Sequence, residues 1–333
     1  MRNKFILFSS LFSLLLSAVL VSCEKEITVD LPTAKPKIVV EGFIFNDQPP
    51  LVMLTWSQGY FQPINAATLA NLYLHDARVT INDGLNTYPL LERCTSDLTE
   101  AELELASQAL GIPVSQLVAL NLCVYVPENI FDLVGVPGRI YTLNVDYQEH
   151  QLSASTKVCE IVALDSVWFK IVSSIPNDSL GFIFGTLTDP DTIGNAYRWY
   201  AKRINHYPSW AEDEELIGTQ KDFNFIAPIG SSLDDAFYNG LSFEFGYYRG
   251  SEPNSSKFDD LNNERGFFKK GDSVAIRGTS IDKKAYDFIA SLEDQAANQG
   301  SPFSIPFNLK SNVTGGLGAF IGYSATYDTV VCQ

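Results

Sequence analysis

The strongest constraint on the fold is a period of two. In Tyr141-Thr142-Leu143-Asn144-Val145-Asp146-Tyr147 the apolar and aromatic residues stand at 141, 143, 145 and 147, with polar residues between them. Only a β-strand places such residues on one face, because successive side chains of a strand point to opposite sides. The same texture, or a short apolar version of it, runs through Ile38 to Phe45, Leu51 to Trp56, Ala77 to Gly84, Cys123 to Val126 and Gln151 to Val158. Turn formers separate these segments: Asn46-Asp47-Gln48-Pro49-Pro50 forms one cluster, and Asp83-Gly84 is a hairpin signal. Short strands at this density are the pattern of an immunoglobulin-like β-sandwich, expected over residues 37–162.

One stretch inside that run has a different period. Thr99-Glu100-Ala101-Glu102 has the spacing of a capping box, and Leu103, Leu105, Ala106, Ala109 and Leu110 follow as a helical stripe ended by Gly111. Ser115 to Leu120 continues as a second short helix. This gives a helical insertion at about 97–121, flanked by Cys94 and Cys123. A decoration on the sandwich is the plainer reading, and a partner-binding arm the alternative.

Strand patterns resume with Asp165 to Ile171, Phe182 to Pro190, Ala196 to Ile204, Leu241 to Tyr248, Asp272 to Gly278 and Gly318 to Tyr327. One helix at about 282–298 carries Tyr286, Phe288, Ile289 and Leu292, with Gly300 as its stop. Two domains are the default for a chain of 333 residues. The fold class is therefore mainly β, with an N-terminal immunoglobulin-like β-sandwich carrying the insertion. A second β-rich domain, residues 163–333, carries one C-terminal helix.

The first 22 residues have another purpose. Arg2 and Lys4 precede an apolar run from Phe5 to Leu20, and Leu20-Val21-Ser22-Cys23 is a lipobox. Cleavage before Cys23 and lipidation of its thiol would attach the protein to a membrane through acyl chains. An uncleaved membrane helix is the alternative, but the run is short of the ~20 residues a span requires. Residues 23–36 then form a tether with Pro32 and Pro36. Loss of Arg2 and Lys4 takes the formal charge from −16 to −18. Such a surface repels nucleic acid, which is excluded as a partner.

Four cysteines follow Cys23, and an even number in an exported chain points to two disulfides. Of the three connectivities, Cys94–Cys123 with Cys159–Cys332 is preferred, stapling the insertion and tying back the C-terminus. Metal coordination is the weaker reading, since there is no CxxC and His75, His150 and His206 are isolated in sequence.

No GxSxG, HExxH or P-loop is present, so no catalytic residue and no cofactor is assigned. Gly315-Gly316-Leu317-Gly318 reads as close backbone packing or a tight turn rather than a phosphate loop. Asp189, Asp191 and Asn195 offer clustered oxygens to calcium but lack EF-hand spacing, and a plain Asp/Pro turn is the simpler reading. Asp234-Asp235 is a weaker cation candidate. Tyr197, Trp199, Phe243, Phe245 and Tyr247 alternate as core residues do. Tyr207 and Trp210, in a loop-like Tyr-Pro-Ser-Trp stretch, are the best candidates for an exposed contact surface.

Several segments together resemble one known family. They include Pro36-Lys37-Ile38-Val39-Val40-Glu41-Gly42-Phe43-Ile44-Phe45, Gly138 to Leu143, Leu164-Asp165-Ser166-Val167, and Asp189-Pro190-Asp191 with Gly194 to Trp199. Phe267 to Val274, Gly300 to Ser304 and Ser311-Asn312-Val313-Thr314-Gly315-Gly316-Leu317-Gly318-Ala319-Phe320 continue the match. The chain is similar to the Bacteroidota outer-membrane lipoprotein family called domain of unknown function 4249. The resemblance carries no catalytic residues. It implies an accessory or binding component of a TonB-dependent nutrient transporter, and the acidic residues after Cys23 resemble a surface-export signal. The alternatives are a surface hydrolase acting on glycans or peptides, and a structural or adhesive envelope lipoprotein.

Overall fold

Alternation becomes burial along β6 (Ile140–Tyr147), where Tyr141, Leu143 and Val145 are buried while Asn144 and Asp146 face water. The computed structural model describes residues 35–59, 72–110, 113–172, 178–209, 214, 217–250, 264, 266–297 and 309–333. Cys23 with the lipobox, Gly111, Trp210, Asn298, Gly300 and Pro302 lie outside the described residues.

The strands before β6 are β1 (Ile38–Phe45), β2 (Leu51–Trp56), β3 (Arg78–Asn82), β4 (Thr87–Cys94) and β5 (Cys123–Pro127). After it come β7 (His150–Lys157), β8 (Ser166–Ile171), β9 (Leu180–Thr188), β10 (Ala196–Arg203), β11 (Ser232–Asp234) and β12 (Ser242–Tyr247). The last are β13 (Phe268–Lys269), β14 (Ser273–Ile281), β15 (Val313–Thr314) and β16 (Leu317–Val331). The α-helices among the described residues are α1 (Glu100–Leu110), α2 (Val114–Leu120) and α3 (Lys283–Ala297).

The mainly β architecture expected from the sequence is present as two sheets. A twelve-stranded sheet runs β11-β10-β14-β16-β1-β2-β5-β4-β3-β6-β7-β15, and a four-stranded sheet places β9 between β12 and β8, with β13 also on β9. The large sheet curls until β7 lies over β16, where the Gly322 amide donates to Thr156 Oγ1 at 2.7 Å. Inside the curl sit Val40, Val52, Ile81, Tyr125, Leu143, Leu152 and Phe320, all buried. A second core, between the small sheet and the other end of the large one, holds Ile183, Trp199, Ala201, Phe268, Val274 and Ile276.

The twelve-stranded sheet takes strands from both sides of residue 162. β1 pairs in parallel with β16, from Val39 opposite Leu317 to Phe45 opposite Tyr323, and β16 also pairs with β14. Residues 36–333 form one compact unit. The Gly315–Gly318 run lies where these strands meet. At Gly318 (φ +91°) a Cβ would stand 2.0 Å from the Val40 carbonyl oxygen, so close backbone packing, as expected, is its role.

At the edge of the second core, three cations face three carboxylates out of water. Arg203 donates to Asp222 through Nε at 2.9 Å and Nη2 at 2.7 Å, and through Nη1 to Glu264. Lys221 Nζ donates to Asp272 at 2.7 Å, and Arg249 Nη1 lies 3.6 Å from Asp222. Burial works against the Arg203 charge, but hydrogen bonds and the field of Asp222, then Glu264 and Asp272, raise its pKa.

The capping box forms as read: the Thr99 amide donates to Glu102 Oε2 at 2.8 Å and the Glu102 amide to Thr99 Oγ1 at 3.4 Å. Asp282 caps α3, accepting from the Ala285 amide at 2.8 Å. The buried stripe of α3 is Ala285 and Ile289, whereas Leu292 is exposed.

Cys94 and Cys123 form the expected disulfide, bridging residues directly opposite each other on β4 and β5. Cys159 and Cys332 are both unpaired, which corrects the second bridge. The Cys159 carbonyl accepts from Ser324 Oγ, and Cys332 follows the end of β16, about eight residues further on. At ~3.3 Å per residue that is roughly 25 Å, far beyond the ~7 Å limit between Cα atoms for a disulfide.

Candidate functional site

A cleft of about 470 Å³ opens beside Cys159. Its walls are the segment leaving β7 (Lys157, Cys159, Glu160, Val162), the turn Pro190–Asn195, the start of β10 and the end of β14. From β7 the first core borders it, while Ala196 of β10 and Ile281 of β14 belong to a further apolar cluster with Ala285 and Ile289 of α3. Ile193 stands at the rim with 91% of its surface exposed.

Three of the residues singled out in the sequence build the turn that forms one wall. Asp189 is buried and accepts hydrogen bonds from the Tyr197 hydroxyl, from Asn195 Nδ2 at 3.3 Å and from the Gly240 amide at 3.1 Å. Asn195 Nδ2 also donates to the Thr192 carbonyl at 2.7 Å, and Asp191 Oδ1 accepts from Asn239 Nδ2 at 3.2 Å. Asp235, from the weaker acidic pair, takes the amides of Gly194 and Asn195 at 2.6 and 2.8 Å. Hydrogen bonds from Asn195 within the turn and from Tyr197, Asn239 and Gly240 outside it hold the Asp189 and Asp191 carboxylates in an Asp/Pro turn.

Three titratable groups at the cleft are held by burial or by hydrogen bonds: Cys159, Asp282 and Tyr197. Burial, with the nearby Asp282 charge, pushes the Cys159 thiol up to about 11, so it is protonated at neutral pH. Asp282 Oδ2 accepts from Thr156 Oγ1 at 3.0 Å and the Lys157 amide at 2.9 Å, while Oδ1 caps α3. Burial and the bond to Asp189 raise the Tyr197 pKa. Among the described residues, no histidine lines the cleft. The cleft therefore sets a protonated thiol beside a carboxylate that accepts from Thr156 Oγ1 and from the amides of Lys157 and Ala285.

The family model described as Domain of unknown function (DUF4249) matches residues 24–329. The chain belongs to this family. No curated protein matches it.

In this DUF4249 chain the proposed contact residues part company. Tyr207 is buried, only 4% exposed, with Lys221 Nζ 5.5 Å from its ring centre, which corrects its assignment to an exposed surface. The backbone explains this: Tyr207 pairs with Thr219 and Gly218 (amide–carbonyl 2.9 and 3.0 Å), folding the stretch back against the ionic cluster. Trp210 is outside the described residues.

Sequence reading missed one constellation. His75 Nδ1 lies 2.5 Å from Glu92 Oε1, and Cys94 Sγ lies 3.7 Å from the same oxygen. One donor atom from each of His75, Glu92, Cys94 and Cys123 falls within 4.8 Å of every other. His75 looked isolated because its neighbours come from β4 and β5, and only strand pairing brings them together. The period of two did carry half of the signal, since it puts Glu92 and Cys94 on one face.

Proposed function

We propose that this DUF4249 protein is a non-enzymatic outer-membrane lipoprotein, anchored through lipid on Cys23 and facing the cell exterior. In this reading it is an accessory or binding component of a TonB-dependent transporter. The observation that carries the proposal is the junction at Cys23. Leu20-Val21-Ser22-Cys23 ends the apolar segment, and the family match starts at residue 24. Two features add support. The body is strongly acidic, so attachment through headgroup charge is unfavourable and an acyl anchor supplies the affinity instead. The cleft beside Cys159 has the size of a small-ligand site, and its thiol is protonated at neutral pH.

The test is expression of the full chain and of Cys23→Ala in a bacterial host that processes lipoproteins. The native chain incorporates labelled palmitate, fractionates with the outer membrane and is cleaved by protease added to intact cells. Affinity capture after cross-linking then recovers a transporter barrel. A native chain that takes no label overturns the anchor, and repeated capture without a barrel overturns the accessory role.

A further inference from the structure

We propose that His75, Glu92, Cys94 and Cys123 form a zinc site whenever the Cys94–Cys123 disulfide is reduced. The inference rests on the body of the protein alone and is independent of its membrane attachment.

Two thiolates, an imidazole and a carboxylate are a ligand set zinc accepts, and four such donors complete a tetrahedral site. With bonds of ~2.3 Å to sulfur and ~2.0 Å to nitrogen or oxygen, tetrahedral donors stand roughly 3.3 to 3.8 Å apart. The four donor atoms already lie within 4.8 Å of one another. Cys94 and Cys123 face each other on β4 and β5, and Glu92 is opposite Tyr125 in the same ladder, so three ligands sit on a preformed sheet. His75 is held close by by its neighbour: the Leu74 amide donates to the Leu54 carbonyl at 2.9 Å. Its side chain is 53% exposed and can swing by the ångström or so that opens its contact with Glu92.

An outer layer orients the carboxylate. Glu92 Oε2 accepts from the Asp76 amide at 2.9 Å and from the Tyr125 hydroxyl at 3.4 Å, leaving Oε1 facing His75 and Cys94. A solvated surface ion pair would account for His75 and Glu92 alone. It does not account for their meeting at the one place where two sulfurs are also paired.

The chemistry balances with a dithiol as reductant. Two electrons and two protons pass from the dithiol to the disulfide; the dithiol becomes a disulfide, and Cys94 and Cys123 become thiols. Zinc then displaces one proton from each thiol, while neutral His75 and ionised Glu92 contribute lone pairs. Disulfide and zinc are therefore alternative closures of one loop. Because the cysteines flank α1 and α2, at a sequence separation of 29, either closure staples the helical insertion.

The test uses the full chain in detergent, reduced with a phosphine under argon or left oxidised, and titrated with zinc against a colorimetric chelator. Expected are one tightly bound zinc per reduced chain and none per oxidised chain. Cobalt in place of zinc should give thiolate charge-transfer and tetrahedral d–d absorption. His75→Ala, at an exposed position, should leave the circular dichroism unchanged and weaken binding at least tenfold. Cys159→Ala should leave binding unchanged. Absence of zinc binding by the reduced chain overturns the proposal, as does binding that His75→Ala and Glu92→Gln both leave intact. Equal binding by the oxidised chain overturns it too.

Discussion

Within the curl of β1 to β7 the interior is Val40, Ile81, Leu143 and Phe320, with apolar contacts on every side. At the far end of the same sheet, past Trp199 and Ile276, the interior gives way to Arg203, Lys221 and Arg249 against Asp222, Glu264 and Asp272. The two regions solve different problems. The first closes a sheet on itself, where volume and pattern suffice. The second holds segments around 221 and 249 that lie outside the named strands. Buried ion pairs are directional, so they can fix such segments in place. They also fail badly when broken singly, because the partner is left charged out of water.

The largest effect expected is that of Arg203→Ala, which strands Asp222 and Glu264. It should cost about 3–5 kcal/mol in urea denaturation. Replacing Arg203, Arg249, Asp222 and Glu264 together with apolar residues of similar volume, which leaves the Lys221–Asp272 pair intact, should recover most of that loss; failure to do so would show that the cluster contributes more than relief of stranded charge. Next comes Cys94→Ala with Cys123→Ala, which releases the insertion on the apolar side. For a loop of separation 29 the expected loss is about 3 kcal/mol, read as a lower melting temperature under non-reducing conditions.

Ile81→Val sharpens the comparison from the apolar side. It removes one methylene from a fully buried residue and should cost about 1 kcal/mol with an unchanged denaturant slope. Smaller still is a pH-dependent effect at the β3–β4 turn. Partial burial of Asp83 opposes its charge, but the amides of Asn86 (2.7 Å) and Leu85 (2.9 Å) and the Arg139 guanidinium (2.8 Å) outweigh it. Its carboxyl is held below the ordinary value of 3.8. A depressed pKa stabilises the fold fully above that ordinary value and loses the effect as pH falls through the folded one. The stability difference between the native chain and Asp83→Asn should therefore be greatest near neutral pH and shrink below pH ~4.

The same contrast explains what could be read in advance. Strands β1, β3, β6 and β7 announced themselves because alternation is local, and so did the capping box at Thr99 and Glu102. The disulfide beside the insertion was legible because its cysteines bracket a helical pattern. Pairing of β1 with β16 was not, since nothing in Ile38 to Phe45 names a partner nearly 280 residues away. The ionic cluster was hidden for a related reason. Acidic residues at 222, 264 and 272 read as solubilising surface until the fold brings cations to them. Tyr207 was misplaced with them, and Cys159 was paired with Cys332 to tie back the C-terminus, where the length of β16 forbids it. At the cleft the turn chemistry of Asp189 to Asn195 was legible, but the fixing of Asp282 by Thr156 was not, because it joins positions 126 residues apart.

The placement of β1 has a mechanical consequence. The first described strand lies between β2 and β16, hydrogen-bonded along both edges. A pull delivered through the N-terminal segment acts along the axis of β1. Both ladders are then loaded in shear, so many hydrogen bonds must yield together instead of unzipping in turn. A body tugged by flow or by a moving partner while its N-terminal end is held would transmit the load straight to its C-terminal strand.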